Sequence, residues 1–380
     1  MFRLKNFLLV AFCLFVFAPT SGRGADLSPY LDSETIAVVR VNLKQLDLPG
    51  IGQYYETAIL KAFDEVIPKN NPVAPRMKGE LQMAIQMALM NGSALYEEQV
   101  VKNKAEELNL IVYRDAMMKK IFPVLLAVPI PEGASQEQID AIRMQYLNLQ
   151  IPVTFVRHGY IVGIPVIPEQ FAGQRQVMAF AREKFMEPSS QPRPEMTAAL
   201  SSQPRALLQI VVGRIDQFQR DVETQINAFR PFLMMMPEEQ QGELDQALKM
   251  IPVIFQSLNS YSFAYDYAKP EIRQVIQLKD EKTAKEMLAM NLEQMKKVEE
   301  LLDQIPVVRN APVRNPGMTP EGLAATKSLF KAIQMRQQGN DFIVLLDASG
   351  MEHLKTYFYE MLIKSGVAGG QPALRWPLLP

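Results

Sequence analysis

Apolar positions along the chain fall into short strands and longer helices, in the same order twice. Ile36-Ala-Val-Val-Arg-Val-Asn-Leu-Lys-Gln-Leu46 reads as an apolar strand running into a polar turn and then a helix. Leu208-Gln-Ile-Val-Val-Gly-Arg-Ile-Asp-Gln-Phe218 repeats that pattern. Val153–Arg157 and Tyr160–Val166 flank His158-Gly159, a two-residue hairpin signal, and Ile333–Gln337 and Phe342–Asp347 flank Gly339-Asn340 in the same way. A further hairpin is predicted where Tyr261–Tyr267 and Ile272–Leu278 flank Ala-Lys-Pro-Glu. Pro165, which has no N–H to donate, predicts an edge position for its strand. From Thr283 to Gln304, Ala284, Leu288, Met295, Val298 and Leu302 recur at near-helical spacing, and Pro306 ends the helix.

Shorter matches follow the same order. Gly79-Glu80-Leu81 recurs as Gly242-Glu243-Leu244, and Ala84 and Met87 recur as Ala247 and Met250. Leu108-Asn109 matches Leu258-Asn259, Val124–Leu126 falls opposite Gln274–Ile276, and Tyr160-Ile161-Val162 matches Phe342-Ile343-Val344. The offset drifts between 150 and 182. Two explanations stand: a duplicated unit, or two stretches of similar composition. Two copies fall short of a solenoid. The expected class is α+β, with two similar halves, each an antiparallel sheet with helices packed on one face. The expected boundaries are a signal peptide at 1–24, a first half at 25–186 and an exposed linker at 187–195. A second half at 196–366 and a tail at 367–380 follow.

Export is read from the first residues. Arg3 and Lys5 precede an apolar run from Phe7 to Ala18, Pro19 breaks it, and Gly22-Arg23-Gly24 offers small residues for cleavage before Ala25. The run is shorter than the about 20 residues a spanning helix needs, so no stable membrane span is expected after cleavage; a retained anchor is the rival reading. Cys13 lies inside that run, preceded by Phe12 where a lipobox needs a small residue. The expected mature chain is therefore free of cysteine and periplasmic or extracellular. Without Arg3, Lys5 and Arg23 it has 37 basic residues against 41 acidic ones. No basic run supplies the face that nucleic acid requires, so nucleic acid is not an expected partner.

Candidate chemistry is sparse. One Cys and two His exclude Cys-rich zinc modules, iron–sulfur clusters and disulfide scaffolds, and no metal site or cofactor is expected. There is no nucleophile elbow. Ser328-Leu-Phe-Lys331, Ser257-Leu-Asn259 and Lys364-Ser-Gly366 resemble a penicillin-binding trio in the wrong order. His158 is explained by its turn and His353 by a helix capped at Ser349, so no catalytic residue is assigned. Gly50 and Gly52 lack the third glycine of a dinucleotide fingerprint, with Tyr55 in its place, and read as relaxing the chain into a helix. Met83, Met87 and Met90 have the spacing of a helix core and read as core packing rather than a copper site.

Two features are binding candidates. Tyr261, Phe263, Tyr265 and Tyr267 alternate, which puts four rings on one side of a strand: a stacking platform if open, core if a helix covers it. Trp376, in Leu374-Arg-Trp-Pro-Leu-Leu-Pro380 behind Gly369-Gly370, is an aromatic anchor for a partner or for the chain itself.

The run Leu31-Asp-Ser-Glu-Thr-Ile-Ala-Val-Val-Arg-Val-Asn-Leu43 resembles the strand-then-turn opening of each α+β half in exported bacterial proteins of unassigned activity. The resemblance implies a bacterial envelope location and transfers no functional residue. Together these readings predict an exported non-catalytic binding or scaffolding protein of the cell envelope, with an envelope or extracellular protein as partner. A carrier of an apolar ligand, or a hydrolase with an unrecognised site, is the alternative, and the oligomeric state is left open.

Overall fold

The computed structural model describes residues 27–68, 70–97, 107–118, 124–131, 133–148, 151, 153–164, 174–186, 193–203, 206–213, 257–305 and 319–368. The expected signal peptide with Cys13, Pro165, the matches at 242–250 and the tail beyond Ala368 with Trp376 lie outside them. The described strands are β1 (Thr35–Asn42), β2 (Glu107–Tyr113), β3 (Val124–Pro129), β4 (Val153–Arg157), β5 (Tyr160–Ile164), β6 (Leu208–Gly213), β7 (Leu258–Asp266), β8 (Glu271–Leu278), β9 (Gln334–Gln338) and β10 (Asp341–Leu346). The helices are α1 (Leu48–Val66), α2 (Ala74–Tyr96), α3 (Arg114–Met118), α4 (Gln136–Asn148), α5 (Gln174–Met186), α6 (Pro194–Ser201), α7 (Glu281–Gln304), α8 (Pro320–Ala332), α9 (Ala348–Phe358) and α10 (Lys364–Ala368). A π-helical turn, Tyr359–Ile363, joins α9 to α10.

The α+β class is as expected, but all ten strands form one antiparallel sheet rather than a sheet in each half. The order is β4-β5-β3-β2-β1-β6-β7-β8-β10-β9. Strands β1 and β6 pair at its centre, with Val38 opposite Val211 and Val41 opposite Leu208. Counted outwards from that pair, the order is the same on both sides. Residues opposite each other share a face, so the register tests the repeated sequence segments. Leu108 and Leu258 lie on one face, as do Val124 and Gln274. Tyr160 and Phe342 lie on opposite faces, and so do Val38 and Ile210, a one-residue slip in each case.

The turns follow their chemistry. His158 and Gly159 both have positive φ (47° and 76°), the pattern of a type I′ hairpin, and Gly339 has φ 60° between β9 and β10. The edge expectation drawn from Pro165 is corrected. Its strand, β5, lies between β4 and β3, and the edges are β4 and β9.

A second correction concerns the helices, which cover both faces of the first half. On one face Val38, Ile111, Leu125, Ala127 and Val162 pack with Val177 and Phe180 of α5 and Met196 and Leu200 of α6. On the other, Val41, Leu108, Leu126, Val128 and Ile161 pack with Ile142 of α4. Each fully buried Leu or Ile contributes about 1.5–3 kcal/mol. That second face continues into the other half, where Ile276, Leu278, Phe342 and Val344 meet Ala284, Met287 and Leu288 of α7.

Nor is the expected linker wholly exposed. Arg193 is buried, pairs with Glu195, and its guanidinium donates to the Thr35 carbonyl at 3.2 Å. Helix α6 thereby belongs to the first core. At the other end of the chain, Lys364 binds Glu65 of α1 at 3.1 Å and Glu360 at 3.2 Å, tying α10 back to α1.

Candidate functional site

Helix α2 packs on α1, with Ile85 buried and Leu89 set against Gly52. The contact is close: a Cβ at Gly52 of α1 would lie 2.5 Å from a Leu89 methyl, so glycine admits Leu89 there. That is the role of Gly52, which sits inside α1 rather than ahead of it; the helix starts at Leu48, capped by Asp47 accepting from the Gly50 N–H at 2.9 Å. Two polar ties flank the contact, Lys78 to Asp64 at 2.6 Å and Gln86 to Glu56 at 3.4 Å. Tyr96 closes the helix by donating to the Leu43 carbonyl at 3.0 Å.

With Ile85 turned inward, residues about 140–200° around the helix turn outward, and these include Met83, Met87 and Met90. They are 59%, 55% and 66% exposed, which overturns their reading as core packing. Val73 and Met77, at the N-terminal end of the same helix, are also exposed. From Leu81 to Tyr96 the sequence contains no charged residue, so this outer face is neutral over sixteen residues, about 24 Å. Charges appear only at the ends: Arg76, paired with Glu80 at 2.8 Å, and the exposed Glu97. Exposed apolar surface of this extent on one helix is the mark of a contact surface. Methionine suits it, because an unbranched thioether adapts to an irregular partner.

A second constellation is half-buried, and its geometry is that of a clasp. Lys184 of α5 reaches Asp32 at 2.5 Å and Asp115 of α3 at 2.8 Å, with its ammonium 5.2 Å from the centre of the Tyr113 ring. Burial opposes its charge, but the hydrogen bonds and the charges of Asp115 and Asp32 outweigh it and hold the Lys184 pKa above its ordinary value. Burial, reinforced by Asp32, pushes the Tyr113 hydroxyl well up, so it stays protonated and donates to the Tyr30 carbonyl at 2.6 Å. Three chain segments are pinned at one point, and sequence reasoning missed it: the partners of Lys184 lie 152 and 69 residues away.

The aromatic strand is half covered. Tyr261, Phe263 and Tyr265 lie opposite Val212, Ile210 and Leu208 and are partly buried. Tyr267 stands in the following turn, its ring 6.4 Å from that of Tyr265 and its hydroxyl 3.4 Å from Asp47. Helix α1 lies over this end: the Tyr55 hydroxyl is pushed up to about 12 by burial, with Tyr54 and Tyr265 beside it, and its ring meets Phe358 at 6.2 Å. Tyr265 and Tyr267 therefore serve the contact between α1 and the second half. His158 sits at the hairpin tip 5.9 Å from the Tyr30 ring, and His353 lies in α9, whose cap is Asp347 rather than Ser349.

Among the described residues no three His, Cys, Asp or Glu side chains converge on a metal position, and no helix is long and apolar enough to cross a membrane. No family model matches this chain, and no curated protein matches it. Among solved structures it is similar to the crystal structure of TP0453, at 7% identity over 88% of this chain and 100% of that chain, with a TM-score of 0.31. A likeness at that level assigns neither activity nor partner.

Proposed function

We propose that the chain is an exported, non-catalytic binding or scaffolding protein of the cell envelope that engages a protein partner through the outer face of α2. The observation that carries this reading is the exposure of Met83, Met87 and Met90 on a helix face without charge from Leu81 to Tyr96. A lone exposed apolar residue is ordinary, but three at spacings of four and three form one stripe. The rest of the molecule supports a presenting role. The Lys184 clasp and the Lys364 tie hold α1, α3, α5 and α10 in place, and α2 is fixed by Leu89 against Gly52. Export is supported by the positive start, apolar run and small-residue cleavage site of the first 24 residues.

In-cell photo-cross-linking tests this reading. Met87→p-benzoylphenylalanine is expected to give a discrete adduct with a protein. The same substitution at Leu301, 61% exposed on the charged helix α7, should not. Equal adduct patterns at the two positions would refute a specific face on α2.

A further inference from the structure

We infer that the partner seated on the outer face of α2 is a second copy of this chain, paired antiparallel about a two-fold axis near Met87; this rests on the binding reading above and names its occupant. The argument is complementarity along the helix. An antiparallel pairing centred between Gln86 and Met87 brings Met83 of one copy against Met90 of the other, and Glu80 against Ser93. It also brings Arg76, which pairs with Glu80 in its own chain, opposite a second carboxylate, Glu97 of the other copy, once at each end of the neutral stretch. No like charges meet between those ends, because none exist from Leu81 to Tyr96. The two helix dipoles oppose each other, which an antiparallel arrangement favours.

A lipid surface fits the same face less well. Helices that lie on anionic membranes carry Lys and Arg along the polar margin of the apolar face. Here the only basic residues of α2 are Arg76 and Lys78, both at one end, so most of the stripe has no basic margin.

One helix pair about 24 Å long makes an interface at the small end of the specific range, so the dimer is weak and depends on concentration. Sedimentation equilibrium of the purified chain over about 1–200 µM should show a reversible monomer–dimer transition. Met83→Gln/Met87→Gln/Met90→Gln, checked for an unchanged circular dichroism spectrum, should raise the dissociation constant by about tenfold or more. Arg76→Glu should weaken dimerisation several-fold, and Arg76→Glu/Glu97→Arg should restore it. In a Cys13→Ser background, Met87→Cys should form a symmetric disulfide on oxidation, whereas Gln82→Cys, on the flank of α2, should not.

A chain that remains monomeric throughout, or a dimer indifferent to the triple substitution, would overturn the proposal. So would Met-dependent binding of the monomer to phosphatidylglycerol vesicles, which would assign the face to a membrane. Protein adducts at position 87 from a chain that is monomeric in solution would remove self-pairing while leaving the broader binding reading intact.

Discussion

The two halves of the sheet share a strand order and differ in how that sheet is covered. In the first half β3 and β5 are buried along their whole length. In the second, β7 and β8 each have one buried residue, Ala264 and Leu278. The sequences explain the contrast. Strand β3 is Val-Leu-Leu-Ala-Val-Pro, apolar on both faces, and α4 covers one of them while α5 and α6 lie over the other. Strand β8 interleaves Arg273, Gln274 and Gln277, and edge strand β9 is Gln-Met-Arg-Gln-Gln, whose polar side chains discourage pairing with a foreign strand. Strand order alone therefore does not set where the core lies. The rigid mass of the molecule is in the first half, and α1, from that half of the chain, reaches across to Tyr265 and Phe358 of the second.

The sharpest way to break this comparison is to make the same cavity on both sides. Leu126 and Ile276 occupy matching places on β3 and β8 and share a face. Leu126 is fully buried, so Leu126→Ala should cost about 3–4 kcal/mol, whereas Ile276→Ala at its half-covered position should cost about 1–2 kcal/mol. Urea unfolding of the two variants gives both numbers. Equal losses would show that β8 is as deeply packed as β3 and that the contrast between the halves is false.

A smaller effect is expected at the first half's clasp. Lys184→Met leaves Asp32 and Asp115 facing each other without their cation, in a site only partly shielded from water. The expected loss is about 2–3 kcal/mol at neutral pH. The pH dependence has a definite sign. The folded-state pKa values of Lys184 and Tyr113 lie above their unfolded values. Their contribution is complete below about pH 10 and is lost as pH rises through the folded values. Wild type should thus lose stability steeply above pH 10, and Lys184→Met should show a shallower alkaline limb. Parallel limbs in a thermal-melt series would remove Lys184 from the account.

Which features were legible in the sequence follows from how local their causes are. The His158-Gly159 hairpin was readable because two positive φ angles need particular residues, and α7 because Ala284 and Leu288 repeat at helical spacing. The merging of both halves into one sheet was not, since nothing in the side chains of β1 names β6 as its neighbour. Covering of both faces had a signal in the unbroken apolar run of β3. Pro165 misled because a proline's missing N–H constrains only its own position, and it does not say which strands flank the residues before it. Helix α2 shows the limit most plainly. Leu81, Ile85 and Leu89 form one apolar stripe and Met83, Met87 and Met90 another, so periodicity finds the helix without saying which stripe faces inward. The choice is made by Gly52, whose missing side chain admits Leu89.

The least costly test concerns the second half, where α7, α8 and α9 each begin on a single capping residue. Thr319 accepts from the Gly322 N–H at 3.0 Å at the start of α8, and Thr319→Ala should cost about 1 kcal/mol. Helices α7 and α9 begin on carboxylates instead: Asp280 accepts from the Thr283 N–H at 2.8 Å and Asp347 from the Gly350 N–H at 3.0 Å. Those hydrogen bonds hold both carboxyls below the usual carboxylate range. A carboxyl whose folded pKa is depressed contributes stability above its unfolded value, and that contribution disappears as pH falls through the folded value. Below about pH 4, then, amide exchange in the first turns of α7 and α9 should accelerate, while α8, capped by a hydroxyl, should not respond through its cap. The hydroxyl cap is an internal control that shares the same half and the same sheet. If α8 loosens in step with α7 and α9, acid is loosening the whole second half, and the caps are not what holds its helices.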